Sequence, residues 1–384
     1  MQHNYSALLS NGRNTILALM DGTVRISENL DLLTLKNGLS ASLEQQLQDV
    51  ISQAIAKIII LDFSQTDSLD DHSLSALVRL HNTARHSGKR LLAARLDDKL
   101  DEIFKLARLN EGIPVFNTVR EAASYAGLSS VLPAGVEAGI QNAGQRPPSK
   151  TGDAWPEPIT RLSVRGIPAG AINLNVNGRR VTGPLQGFGQ LWQKTYTAVL
   201  KDIKLSPVEL IEILKTNFTR FQPLSNRFYP GPAGIKPGEI ILINADTPGG
   251  LIVTGVMVLY ASATRFTFIT PEGHPESGWV TFSAEENDGS ITIQIQGLAR
   301  ASDPVYEVAF HLAGSKLQQG IWTHVLQSLL RYVGSNSQIE IAPVCLDKKL
   351  QWSKFFNIFA NAQVLTILNM PLIFLRKLIK RKIN

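Results

Sequence analysis

Between Ile58 and Leu80 the spacing of apolar positions changes period within a few residues. Ile58, Ile59, Ile60, Leu61 and Phe63 make a short β-rich run. After a Ser/Asp-rich turn, Leu69, Leu74, Leu77, Val78 and Leu80 recur at offsets that share one helical face. This pattern predicts a buried strand feeding a helix whose first amides lie at the turn. The alternation continues on both sides. A strand is expected at 22–31, a helix at 39–56, a strand at 89–95, a helix at 99–109 ending near Gly112, a short strand at Pro114, Val115 and Phe116, and a last helix at 119–126. Strand and helix in strict alternation predict an α/β domain over 12–128 with helices on one face of its sheet.

The pattern then lapses. From 129 to 160 the chain is rich in Gly, Pro, Ala and Ser without sustained period, which reads as a linker and predicts a hinged connection. Beyond it the signals return. Trp192, Thr195, Tyr196, Thr197 and Val199 read as a strand. Ser206, Pro207 and Glu209 then open a helix with a capping box before Leu210, Ile213 and Leu214. Strands are expected at 239–245, 252–260, 265–270, 279–285 and 290–300, the last pair joined by Asn287-Asp288-Gly289, a hairpin turn. Short connections imply antiparallel pairing. After Asp303-Pro304 a long helical stretch follows, interrupted between Gly314 and Gly320 and resuming through Trp322, Val325, Leu326, Leu329 and Leu330. The second unit, 161–340, is therefore expected to be α+β.

The first unit resembles the STAS domain of anti-sigma-factor antagonists. Its signature, a strand, Asp-Ser-Ser-Gly-Leu and a helix, corresponds here to Asp70, Asp71, His72, Ser73 and Leu74, with supporting likeness in the GTVRISENLD segment and in Pro114-Val115-Phe116. The resemblance implies a protein partner, an anti-sigma factor or a kinase, engaging a surface around Asp70, Asp71, Ser73 and Ser75. Family members that act as phosphorylation switches carry serine where Asp71 stands, so Asp71 removes the usual acceptor. Its carboxylate is open to two readings, a cap on helix-start amides or a fixed stand-in for phosphate, with less charge than the about −1.5 to −2 of a phosphoryl group. Ser73 and Ser75 remain as other acceptors.

The second unit resembles helix-grip proteins of the SRPBCC (START-like) superfamily. The resemblance rests on FITPEGHPESGWVTF at 268–282, chiefly Gly273 to Gly278, and on GFGQLWQKTY at 187–196. It implies an antiparallel sheet around a long C-terminal helix, with a cavity that takes an apolar small molecule. His274, Glu276, Trp192, Trp279 and Trp322 are the candidate ligand contacts. His274 and Glu276 are also the candidates for acid-base catalysis, since an imidazole beside a carboxylate can move protons. Against this stand the plainer readings, a loop shaped by Gly273, Pro275 and Gly278, and aromatics that serve as core.

Charge adds little for the folded units. The net charge is +6, but the eight cations that follow Asp347 exceed it, so the rest of the chain is slightly acidic. Nucleic-acid binding is not expected. A single cysteine, Cys345, excludes an intrachain disulfide, and neither a metal nor a cofactor is implied. Gly183, Gly187 and Gly189 precede a strand instead of following one, so they are not a nucleotide fingerprint. The start of the chain lacks a signal-peptide pattern, and cytoplasmic residence is expected.

The tail, 348–384, is separate. Residues 355–375 carry no charge, yet Asn357, Asn361, Gln363, Thr366 and Asn369 dilute the apolarity and Pro371 interrupts it; Arg376, Lys377, Lys380, Arg381 and Lys382 follow. A helix lying on an anionic membrane surface and docking on the chain's own units are both consistent with this pattern. Three functions are carried forward: a regulator joining a partner-binding unit to an apolar-ligand unit, a cyclase- or dehydratase-like enzyme, and a membrane-associated carrier.

Overall fold

The computed structural model describes residues 23–27, 29–36, 38–128 and 154–371. In the first unit the alternating pattern folds as β1 (Thr23–Ser27), β2 (Leu30–Lys36), α1 (Ala41–Gln53), β3 (Ile58–Gln65), α2 (Asp71–His86), β4 (Arg90–Ala94), α3 (Asp98–Leu106), β5 (Val115–Phe116) and α4 (Val119–Tyr125). The sheet order is β1-β2-β3-β4-β5, with β1 antiparallel to β2 and the remaining pairs parallel. The central strand, β3, reads as a continuous apolar run because both of its faces are covered. Leu61 and Phe63 pack with Leu77 and Leu80 of α2 and Phe104 of α3, whereas Ile60 packs with Val119 and Ala122 of α4. Helices thus lie on both sides of this sheet, which corrects the expectation of one. The sequence pattern does not reveal this because α4 is only seven residues long, too short to declare a buried face.

The second unit comprises β6 (Val181–Thr182), β7 (Leu191–Leu200), α5 (Pro207–Thr216), β8 (Asn226–Tyr229), β9 (Ile240–Thr247), β10 (Gly250–Ala261), β11 (Arg265–Pro271), β12 (Glu276–Asn287), β13 (Ser290–Ala301), α6 (Pro304–Ala309), α7 (Ser315–Tyr332) and β14 (Ile339–Asp347). Its large antiparallel sheet runs β14-β7-β13-β12-β11-β10-β9-β8, with β6 paired to β11. Ser206 and Glu209 form the expected capping box. The β12–β13 hairpin turns through Asp288 and Gly289, both at positive φ, as a type I′ turn requires. Strands β6, β8 and β14 lie beyond the expected set, β14 because Pro343 interrupts its pattern, a residue tolerated at the sheet edge it occupies. The helical interruption lies earlier than expected. A π-helical segment, Phe310–Gly314, joins α6 to α7, and α7 runs unbroken through Gly320.

Alternate residues of the second sheet serve two different cores. Tyr196, Ile243, Phe266, Phe282 and Ile293 face α5 and α7. Met257, Leu259, Ile269, Trp279 and Leu298 instead join the core that contains α2 and the first sheet. The layers run first sheet, α2, second sheet, α7. This corrects the expectation of a hinge, since one apolar core crosses from the first unit to the second. The end of the linker is pinned as well, with the Trp155 indole N–H donating to the Leu69 carbonyl (3.2 Å) and its ring edge-on to Tyr260. Most of the linker, 129–153, lies outside the described residues.

Candidate functional site

A cavity of about 530 Å³ lies between the second sheet and the α6–π–α7 stretch. It has a simple origin in β13. The positions of this strand that face α7 read Ile291, Ile293, Ile295, Gly297, Ala299, Ala301. The isoleucines fill one end of the interlayer space, against a cluster of phenylalanines around Phe218. The glycine and alanines leave the other end empty, and a Cβ built on Gly297 would meet nothing within 4 Å. Trp192, Phe268, Val280, Phe310 and Trp322 complete the apolar wall.

One pole of the cavity is polar. Lys194 Nζ donates to Gln318 Oε1 (2.6 Å) and Ser315 Oγ (3.0 Å), and Gln318 Nε2 donates in turn to Glu276 Oε1 (2.6 Å). Burial lowers the Lys194 pKa against the opposing pull of Glu276. Burial raises that of Glu276, against Lys194 and Gln318. Each charge is thus weakened by its surroundings, and the pair is joined through an amide instead of in direct contact. His274 lies beside them with its Nδ1 3.1 Å from both the backbone N–H and the carbonyl of Glu276, so its tautomer sets whether it accepts or donates there. Burial lowers its pKa to about 4, so the ring is neutral at ordinary pH. The expected imidazole–carboxylate pair is not formed, because the Glu276 carboxylate turns to Gln318.

The Gly273–Gly278 segment has a second task. Gly273 has a positive φ, and a Cβ there would collide with the carbonyl of Ala360. Its own carbonyl accepts from Ala362 N–H (2.9 Å). The motif therefore forms the socket on which the tail docks, as well as part of the cavity wall.

Of the candidate ligand contacts, Trp192, His274, Glu276 and Trp322 come together around the cavity. Trp279 borders it but turns its indole away, donating to Ser75 Oγ on α2 (2.9 Å). Sequence reading misses Lys194 and Gln318, and the shrinking side chains of β13 are the signal that would have located the void.

Behind the same strands lies α2. Its residues at spacing 4, 4, 3 and 4 make the polar contacts to the second unit. Asp71 Oδ2 accepts from Thr267 Oγ1 (2.7 Å) and Oδ1 lies 3.4 Å from Arg265. Ser75 meets Trp279, Arg79 donates to Gln193 Oε1 (2.8 Å), Asn82 donates to the Leu346 carbonyl (2.6 Å), and His86 reaches Asp347 (3.3 Å). Asp347 is also bound by Arg300 (2.6 Å); burial opposes its charge, but Arg300 and the Lys349 N–H prevail and hold its pKa at about 2. The helix cap is Asp70, not Asp71. Asp70 Oδ1 accepts from Ser73 N–H (2.8 Å) and Ser73 Oγ (2.7 Å), while the Asp71 carboxylate is spent on the interface. Asp71, Ser73 and Ser75 are buried to 1%, 0% and 4% exposure. In this arrangement neither serine is open to a kinase, and the expected partner surface is occupied by the chain itself.

Residues 19–122 match the family model of the STAS domain, and the N-terminal region of the chain is such a domain. Among solved structures, the chain is similar to a putative anti-sigma factor antagonist from Thermotoga maritima (19% identity, 26% of this chain and 90% of that one, TM-score 0.24). It is also similar to the anti-sigma factor antagonist SpoIIAA in its unphosphorylated form (14% identity, 27% and 94%, TM-score 0.23). A third likeness is to the di-domain ARO/CYC StfQ from the steffimycin biosynthetic pathway (8% identity, 38% and 51%, TM-score 0.30). A STAS domain supports a regulatory, partner-binding role. Among the described residues no group of side chains could hold a metal ion, and no helix is long and apolar enough to cross a membrane.

Proposed function

We propose that the chain is a ligand-responsive regulator. Its second unit is a helix-grip domain that binds an apolar small molecule with one hydrogen-bonding group, and that occupancy governs whether the α2 face of the STAS domain is held or released to a protein partner. The observation that carries this reading is that adjacent residues of the same strands point to opposite tasks. Phe268 walls the cavity while Thr267 holds Asp71, and Trp192 walls it while Gln193 meets Arg79. A ligand that favours one setting of these strands shifts the equilibrium of α2 by its differential affinity for the two settings. The cavity's volume falls in the range of small-molecule sites, about 300–1,000 Å³, and its apolar wall with a compact polar pole is the usual make-up of one. Lys194, Gln318 and Glu276 would orient the ligand's polar group, with Trp192 and Trp322 against its apolar body.

Native mass spectrometry of freshly purified full-length protein tests the site. The expected result is a retained small molecule in the wild type that is absent from Gly297→Leu, whose side chain fills the void. Identical bare masses, together with no uptake of a fluorescent apolar probe by either protein, would remove the ligand-binding reading. Once a ligand is in hand, unchanged partner-face accessibility at saturation would remove the coupling.

A further inference from the structure

The tail is amphipathic in the reverse sense. In the 3₁₀ segment Trp352–Ala360, at Asn361 and in the helix at 362–371, Asn357, Asn361 and Thr366 face the protein. Asn357 donates to the carbonyls of Gln186 (2.9 Å) and Ser302 (2.8 Å), and Asn361 donates to Asp303 Oδ2 (2.8 Å). Thr366 Oγ1 accepts from Val253 N–H (3.2 Å) and from Asn175 Nδ2 (3.1 Å). These anchors explain why Asn and Thr interrupt the apolar run. They also turn its apolar side outward.

Trp352, Phe355, Phe356 and Phe359 form a ladder of rings in mutual contact, with Phe356 72% and Phe359 78% exposed. Ile367 and Leu368 continue this exposed side. On the adjoining α6–π element, which packs on the tail through Tyr306 and Ala362, Val305, Val308 and Leu312 are exposed at helical spacing. Both elements border the cavity, through Gln363 and Phe310. Apolar residues gathered in this way mark an interaction surface and not scattered exposure.

We infer that this aromatic and aliphatic surface docks on an anionic lipid membrane, with the cavity beside it. Charge selects this occupant. No acid follows Asp347, and five cations, Arg376, Lys377, Lys380, Arg381 and Lys382, come directly after the exposed side; they lie outside the described residues and enter only by their charge. Tryptophan and phenylalanine suit the headgroup boundary, and clustered lysine and arginine add attraction to anionic lipid. The inference is independent of ligand binding in the cavity.

The test is co-sedimentation of the full chain with phosphatidylcholine vesicles, with and without phosphatidylglycerol. The expected result is binding that depends on phosphatidylglycerol, weakens with salt, and falls about tenfold or more in Phe356→Ser/Phe359→Ser. Both positions are exposed, so thermal stability of the variant should match the wild type, and Gly297→Leu should bind vesicles normally. Binding by the double serine variant equal to wild type overturns the proposal. So does absence of vesicle binding, with or without a dimer on light scattering that the variant abolishes; the dimer would assign the surface to a second copy.

Discussion

The two faces of the second sheet are built from alternating residues of the same strands, yet they solve opposite problems. The face toward α2 is filled, and every position of the helix stripe at 71, 75, 79, 82 and 86 finds a polar partner on the sheet side. The face toward α7 is filled at one end by phenylalanine and isoleucine and left open at the other by Gly297 and Ala299. The void is therefore not a general looseness of the second unit. It is confined to one end of one face, with a close-packed layer directly behind it in the strands that α2 contacts.

Substitutions separate the two faces. The largest effect is expected on the filled face, where Trp279→Ala removes an indole that contacts both units; unfolding in denaturant should show a loss of about 3–5 kcal/mol. Asp71→Ala removes the buried carboxylate between Thr267 and Arg265, leaving Thr267 to Thr281 and Arg265 to Glu285 and Asp70, and should cost about 1–3 kcal/mol, largely restored by Asp71→Asn. Equal stability of the Ala variant and the wild type would deny the latch at the start of α2.

A smaller effect belongs to pH. His81 on α2 and His274 at the cavity both have pKa values lowered to about 4, chiefly by burial. The unfolded chain binds their protons first, so the stability they confer is complete above about pH 6.5 and is lost as pH falls toward 4. His81→Leu should flatten the fall in melting temperature over that window. The smallest effect is expected on the open face. Gly297→Leu enters empty space, so stability should stay within about 1 kcal/mol of wild type, and a larger loss would mean that the void is not available.

Much of the first unit was legible because its strands and helices are local, and the change of apolar period between Ile58 and Leu80 marks a strand, a turn and a helix without help from distant residues. The β12–β13 hairpin and the Ser206 cap were legible for the same reason. The interface was not. A stripe of Asp, Ser, Arg, Asn and His on a helix has the look of a solvated face, and its partners, Thr267, Trp279, Gln193 and Leu346, are distant in sequence. His274, Glu276, Trp192 and Trp322 stood out by residue type and do border the cavity, whereas Lys194 reads as an ordinary surface lysine on an amphipathic strand. The tail misled because its asparagines look like solvent contacts, although Asn357 and Asn361 fill buried backbone acceptors and a carboxylate that only the fold supplies.

Closure of the α2 face by the chain's own second sheet is the feature on which both the latch and the coupling depend. Thiol labelling of Ser75→Cys, in a Cys345→Ser background and with Leu224→Cys as an exposed control, tests it without intermediaries. The thiol introduced at position 75 should react more slowly than the control by about a hundredfold or more, since labelling requires opening of the interface. Labelling as fast as the control would mean that the face stands open.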